Sequence, residues 1–214
     1  MYRLCWEYMA GSIVVQAALE RIGAPYEMRY VDMANDAHLD PDFLAINPAG
    51  RIPALGLPDG TWIGETAAIM ILLSERHPHG GVAPAPGEAD RPAFLFWLNV
   101  MATAGYVTSS RVGHPERFAR DDAAIAQVRA QADRDFDAFF TLMDAAISGD
   151  PFFLTRGPTC LDHYVTMLAE WSSDRDALMA TRPRLQALCN AVRRDPAYAA
   201  ALGAHAIPER NAAD

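Results

Sequence analysis

The pair Glu65-Thr66 heads a run, residues 65–75, that is apolar nearly all round and reads as a buried helix. A helix N-terminus leaves N–H groups unpaired and carries the positive end of the dipole, so this place favours a bound carboxylate. The same two residues serve equally as a cap. Upstream, Arg51 offers a planar guanidinium fork, a good match for another carboxylate. Beside it, Pro53 falls inside "RIPALGL", where a packed strand is expected. Proline has no N–H to give to a sheet ladder. Either the stretch is not a strand, or its edge is kept open for something other than protein. Ser12 supplies a hydroxyl at the head of an earlier helix, with Cys5 and Tyr8 on the strand before it. The histidines show no HExxH and no paired Cys/His spacing, so no metal site is expected, and His77-Pro-His79 reads as a helix-end loop. Thr159-x-x-Asp162 has capping-box spacing, which is structural.

The elements that must position these residues alternate in the first third of the chain. "YRLCWEY" (Tyr2 to Tyr8) is short and aromatic-rich, as a strand would be. Ser12 then opens an amphipathic helix with Val15, Leu19 and Ile22 on one face, capped by Ser12 and stopped by Gly23. Residues 26–33 read as a second strand and 41–46 as a short helix. Pro58-Asp59-Gly60 joins "IPALGL" to "TWI" as a hairpin. The order is therefore β-α-β-α-β-β-α, with the first two strands parallel and the hairpin antiparallel. "GGVAPAPGEADRP" (Gly80 to Pro92) is a connector, and beyond it residues 93–108, 121–147, 159–171 and 183–192 carry helical spacing. The expected domains are 1–79, α/β, and 93–214, all-α, with 80–92 between them.

Composition narrows the function. The 18 Lys+Arg against 27 Asp+Glu give −9, which argues against nucleic acid or an anionic membrane as partner. The longest apolar stretch, Ala67 to Leu73, is too short to span a bilayer, and the N-terminus lacks the pattern of a secretory signal. Cys5, Cys160 and Cys189 are odd in number and scattered, so neither a disulfide framework nor a zinc site is expected and a reducing cytoplasm fits.

These motifs, "NPAGRIPAL" (Asn47 to Leu55), "GET" (Gly64 to Thr66) and "GPTCLDHY" (Gly157 to Tyr164), resemble those of the cytosolic glutathione transferases, over nearly the whole chain. The resemblance implies a thioredoxin-like N-terminal domain followed by an all-helical one, with glutathione as co-substrate. It implies a cis Ile52-Pro53 bond, which turns the chain so that Ile52 shows its backbone to an extended tripeptide. Thr66 is then expected to hold the γ-glutamyl carboxylate, Glu65 the adjacent ammonium, and Arg51 and His38 the glycyl carboxylate. A homodimer is implied as well.

The resemblance also poses the catalytic question. A thiol of pKa about 8.5 is only about 3% thiolate at pH 7, and lowering it by two units needs about 2.7 kcal/mol. One hydroxyl bond to the anion supplies about 1.5–3 kcal/mol and a helix N-terminus about 0.3–1. The serine of theta- and zeta-type relatives aligns near Met9 and the beta-type cysteine near Gly11, so this sequence departs from both patterns. Ser12 is the nearest hydroxyl and is the expected thiolate donor or else only a cap; Tyr8, Cys5 and backbone N–H groups are the alternatives. The resemblance puts a small-molecule electrophile between the domains, with Tyr106, Arg111 and His114 in the right segment. The expected reaction is conjugation. Glutathione-dependent peroxide reduction, isomerisation, reductive cleavage and non-catalytic binding are the rivals.

Overall fold

Strand β1 (Tyr2–Trp6) lies inside a four-stranded sheet of order β2-β1-β3-β4 in the computed structural model, which describes residues 1–207. β2 (Tyr26–Tyr30) runs parallel to β1 after the crossover helix α1 (Ser12–Ile22). β3 (Ala54–Gly56) is antiparallel to β1, with Leu4 opposite Leu55, and β4 (Trp62–Gly64) closes the hairpin. The ladder begins only after Pro53. The missing N–H therefore falls outside the sheet, and the strands are shorter than the apolar runs suggested. Helix α2 (Pro41–Leu44) buries Phe43 in a core with Cys5, Val31, Ile52 and Ala54. Helix α3 (Thr66–Arg76) buries Ile69, Met70 and Leu73 but leaves Ile71 and Leu72 half-buried, so the expected all-round burial holds for one face only.

The expected domain limits need one correction. The described residues form two units, and the C-terminal ones belong with the first: Met1–Val82 together with residues 194–207, against Ala83–Arg193. Helix α10 (Pro196–Ala204) packs along α1, and Arg21 pairs with Asp195 at 3.3 Å. Its run of alanines carries little periodicity, which is why residues 93–214 read as one helical block.

The second unit contains α4 (Arg91–Val100), α5 (Tyr106–Gly113), α6 (Asp122–Ala146), α7 (Cys160–Glu170), α8 (Arg175–Ala180) and α9 (Pro183–Val192). The helix expected over 93–108 is interrupted by a π turn at Met101–Gly105. There the chain passes so close to α6 and α7 that a Cβ on Gly105 would lie 2.5 Å from Phe139 and 2.8 Å from Leu168. Thr159 and Asp162 form the expected capping box at the head of α7. Asp162 does more than its spacing announced: it accepts the Thr159 N–H at 2.7 Å and also the Phe153 N–H at 2.7 Å. It is fully buried, and loss of solvent raises its pKa even though these N–H groups pull it down.

Candidate functional site

Asn47 builds the turn that precedes β3. Its side-chain amide donates to the Arg51 carbonyl at 2.7 Å and accepts from the Ala49 N–H at 3.2 Å, while Gly50 takes the left-handed φ of +59°. The Ile52-Pro53 bond is cis. Ile52 lies outside the ladder, and among the described residues its backbone N–H and carbonyl take no protein hydrogen bond. Its side chain is buried in the core under the turn. The open strand edge posed by the sequence is thus a single residue wide, anchored below and bare along its backbone.

The head of α3 stands against the same turn. An ideal Cβ on Gly64 would come within 3.1 Å of the Asn47 amide, so Asn47 touches both the turn and the residue before Glu65. Glu65 caps α3 with φ +62° and ψ 112°, and no side chain caps that end. Its side chain is exposed, whereas Thr66 is buried at the first helical position. A non-glycine residue held at positive φ is strained, by about 1–3 kcal/mol. The sequence motif that contains Asn47 does not mark it as a brace, because that role appears only once both segments meet on it.

His38 and Arg51 come from neighbouring loops: a Cβ on Gly50, the residue before Arg51, would lie 3.4 Å from the His38 carbonyl oxygen. Arg51 is exposed, and the half-buried His38 keeps an Nδ1 that is shielded and unpartnered.

The turn from Tyr8 to Gly11 differs from expectation. Gly11, not Ser12, is the N-cap of α1, and no side chain caps that helix. Ser12 is fully buried, and its Oγ lies 2.9 Å from Nε2 of His205, which is fully buried too. Ser12 was expected as the thiolate donor or the cap; its hydroxyl is engaged with His205 instead. Burial holds the His205 imidazole below its usual pKa, so the ring is neutral at pH 7. Among the described residues, the Ala10 and Gly11 N–H groups have no hydrogen-bond partner. Glu7 fixes the start of the turn by accepting the Tyr8 N–H at 2.6 Å and the Met33 N–H at 2.9 Å. Tyr8 is half-buried with its ring against Trp6 and Tyr30, at centroid distances of 5.1 and 5.4 Å. Cys5 is fully buried, and desolvation raises its thiol pKa, which makes it inert.

In the second unit, Tyr106 is half-buried at the start of α5, edge-on to Trp171 at 5.1 Å. Arg111 lies over the Phe118 ring, 5.6 Å from its centroid, and makes no ion pair among the described residues. His114 instead faces Glu116 at 3.4 Å. No cluster of three or more His, Cys, Asp or Glu that could hold a metal ion occurs among the described residues.

Residues 12–76 match the family model of the glutathione S-transferase N-terminal domain. Glutathione S-transferase 3 of Zea mays is 27% identical over 202 residues, 91% of this chain and 89% of the relative. A glutathione transferase homologue from Sulfitobacter, solved with bound glutathione, superposes with a TM-score of 0.87 at 24% identity over 97% of this chain and 99% of its own. A sphingomonad glutathione S-transferase solved in complex with glutathione gives 0.81 at 28% identity, covering 95% and 98%. With the cis-proline turn and the head of α3 both in the matched segment, the first unit carries a glutathione S-transferase N-terminal domain, and the chain as a whole is similar to glutathione S-transferases.

Proposed function

We propose that this protein binds glutathione and presents its thiolate to a small electrophile, acting as a transferase. The observation that carries the reading is the bare backbone of Ile52 at a cis Ile52-Pro53 turn, braced by Asn47 against the head of α3. An extended tripeptide pairs with Ile52 as an added strand. Its γ-glutamyl carboxylate meets the Thr66 hydroxyl and the unpaired N–H groups of α3, Glu65 accepts its ammonium, and its glycyl carboxylate meets Arg51 and His38. The thiolate falls to the head of α1. There the Ala10 and Gly11 N–H groups and the helix dipole supply the stabilisation, since the Ser12 hydroxyl is engaged elsewhere.

In this reading Tyr106 and Arg111 contact the electrophile, and Arg111 favours one bearing a carbonyl or an anionic group. The protein works as a homodimer, a reading supported by the half-buried Ile71 and Leu72 on α3. It works in the cytoplasm, where three buried free thiols are at home.

Titration calorimetry with glutathione tests the binding step, and a panel of aryl halides, enals and organic hydroperoxides tests the chemistry. Saturable binding with turnover of an aryl halide or enal is expected; turnover of hydroperoxides alone would replace conjugation with peroxide reduction. Binding without any turnover would favour a non-catalytic member of the fold, a reading supported by the lack of a free hydroxyl at Ser12.

A further inference from the structure

The residue that occupies Ser12 comes from the other end of the chain and does more than fill a cavity. His205 follows α10 and is fully buried against the turn that opens α1. Its Nδ1 lies 2.8 Å from the Ala201 carbonyl oxygen. A carbonyl only accepts, so Nδ1 carries the ring proton and Nε2 is left with a lone pair. That lone pair faces the Ser12 Oγ at 2.9 Å, and Ser12 donates. The ring also stands edge-on to Trp6 at a centroid distance of 4.9 Å. Finally, the His205 carbonyl accepts the Met9 N–H at 3.1 Å.

One residue thus grips Trp6 and Ser12, on either side of the Tyr8–Gly11 turn, and Met9 within it. Met9 needs such a grip. Its φ is +45°, in the left-handed region that a side-chain-bearing residue leaves unless its surroundings hold it there. The peptide that follows Met9 carries the Ala10 N–H, so the ψ of Met9 sets where that donor points, and the Gly11 N–H follows from it through the Ala10 dihedrals; neither has a partner among the described residues.

We propose that His205 is a positioning residue for the thiol-binding turn: acting through Met9, Ser12 and Trp6, it holds the Ala10 and Gly11 N–H groups in the orientation that stabilises a thiolate. The proposal rests on the glutathione reading above for its ligand, but the grip itself is a property of the free protein. His205 touches no substrate and exchanges no proton with one. It converts helix α10 into part of the frame around the head of α1, and it takes up the Ser12 hydroxyl, which would otherwise compete with the backbone donors.

The test compares the wild type with His205→Leu, which fills the buried volume, and His205→Gln, which returns an acceptor to Ser12. Amide exchange of Met9, Ala10 and Gly11 reads the grip without any ligand. The absorbance of bound glutathione thiolate, titrated against pH, reads its consequence. In His205→Leu the Met9 amide should exchange at least about tenfold faster than in the wild type, and the pKa of the bound thiol should rise by about one unit. Glutathione affinity should move by less than about threefold, because the tripeptide is held chiefly at Ile52, Thr66, Glu65 and Arg51. His205→Gln should restore part of both shifts. A folded His205→Leu protein with wild-type amide exchange, or with an unshifted thiol titration and only a lowered denaturant midpoint, overturns the proposal. If His205→Leu does not fold, His205→Gln carries the test alone, since it loses the ring contact with Trp6: the same two shifts at smaller size support the proposal and their absence overturns it. Wild-type protein that fails to bind glutathione would remove the ligand reading, while the amide exchange would still decide whether His205 holds the turn.

Discussion

The Ser12 hydroxyl donates to the His205 imidazole across 2.9 Å with both residues fully buried, a bond spanning 193 positions of sequence. Ser12→Ala leaves the His205 Nε2 as a buried acceptor without a partner. The expected cost is about 1–3 kcal/mol of stability, read as a lowered denaturant midpoint. A direct thiolate donor would behave differently, raising the bound thiol's pKa by about one to two units on its removal. With the Trp6 contact and the Ala201 bond of His205 still present, a much smaller movement is expected. A shift of the full size in Ser12→Ala would return the hydroxyl to the catalytic role.

The same pair makes stability depend on pH. Burial lowers the folded-state pKa of His205, while the unfolded value is about 6.5. Between the two values the unfolded chain binds more protons than the folded one, so stability rises with pH there. The contribution is therefore complete above about pH 6.5 and is lost as the pH falls below it. Denaturant midpoints measured from pH 8 down to pH 5 should fall more steeply for the wild type than for His205→Gln. Parallel slopes would mean that His205 protonates without cost to the fold.

The first unit was legible where one residue type allows few readings. Gly23 marked the end of a helix and Pro58-Asp59-Gly60 a hairpin, and both stand where the sequence put them, while Pro53 marked the limit from which the ladder starts. Thr159 and Asp162 announced their capping box by spacing alone. What could not be read were contacts that depend on distant segments meeting. Ser12 looked like a cap because caps are local, yet its partner is His205. Residues 196–204 looked like part of the helical domain because their alanines do not say which face is buried. Nothing local to Asn47 announces its contact at Gly64, which exists only in the folded unit.

Glu65 offers a separation of stability from binding. Its φ of +62° suits glycine better than any side chain. Glu65→Gly should therefore offset part of the strain at the head of α3, leaving the folded state as stable as the wild type or more so by up to about 1 kcal/mol, whereas Glu65→Ala keeps the strain. Both remove the carboxylate proposed to accept the ammonium of glutathione, and both should weaken binding by about 1–3 kcal/mol in calorimetry. Thr66→Val should weaken binding comparably. Full affinity in Glu65→Gly and Glu65→Ala would take the ammonium contact out of the site.

Gly105 tests the second unit by itself. It ends the π turn between α4 and α5, where a Cβ would lie 2.5 Å from the Phe139 ring and 2.8 Å from a Leu168 methyl. The Phe139 ring is buried and touches the Phe136 and Phe140 rings at centroid distances of 6.2 and 5.2 Å, which restricts its room to move. Gly105→Ala must therefore push α5 away from α6 or force the ring off its rotamer, at an expected cost of about 1–3 kcal/mol. Alanine's better helix propensity, about 1 kcal/mol over glycine, works in the opposite direction and is smaller than the upper part of that range. The two effects separate in a double variant. Adding Phe139→Leu makes room for the methyl, so the Gly105→Ala substitution should cost less in that background than in the wild type. Equal costs in the two backgrounds, measured by chemical denaturation, would show that the approach of α5 to Phe139 is not what requires glycine there.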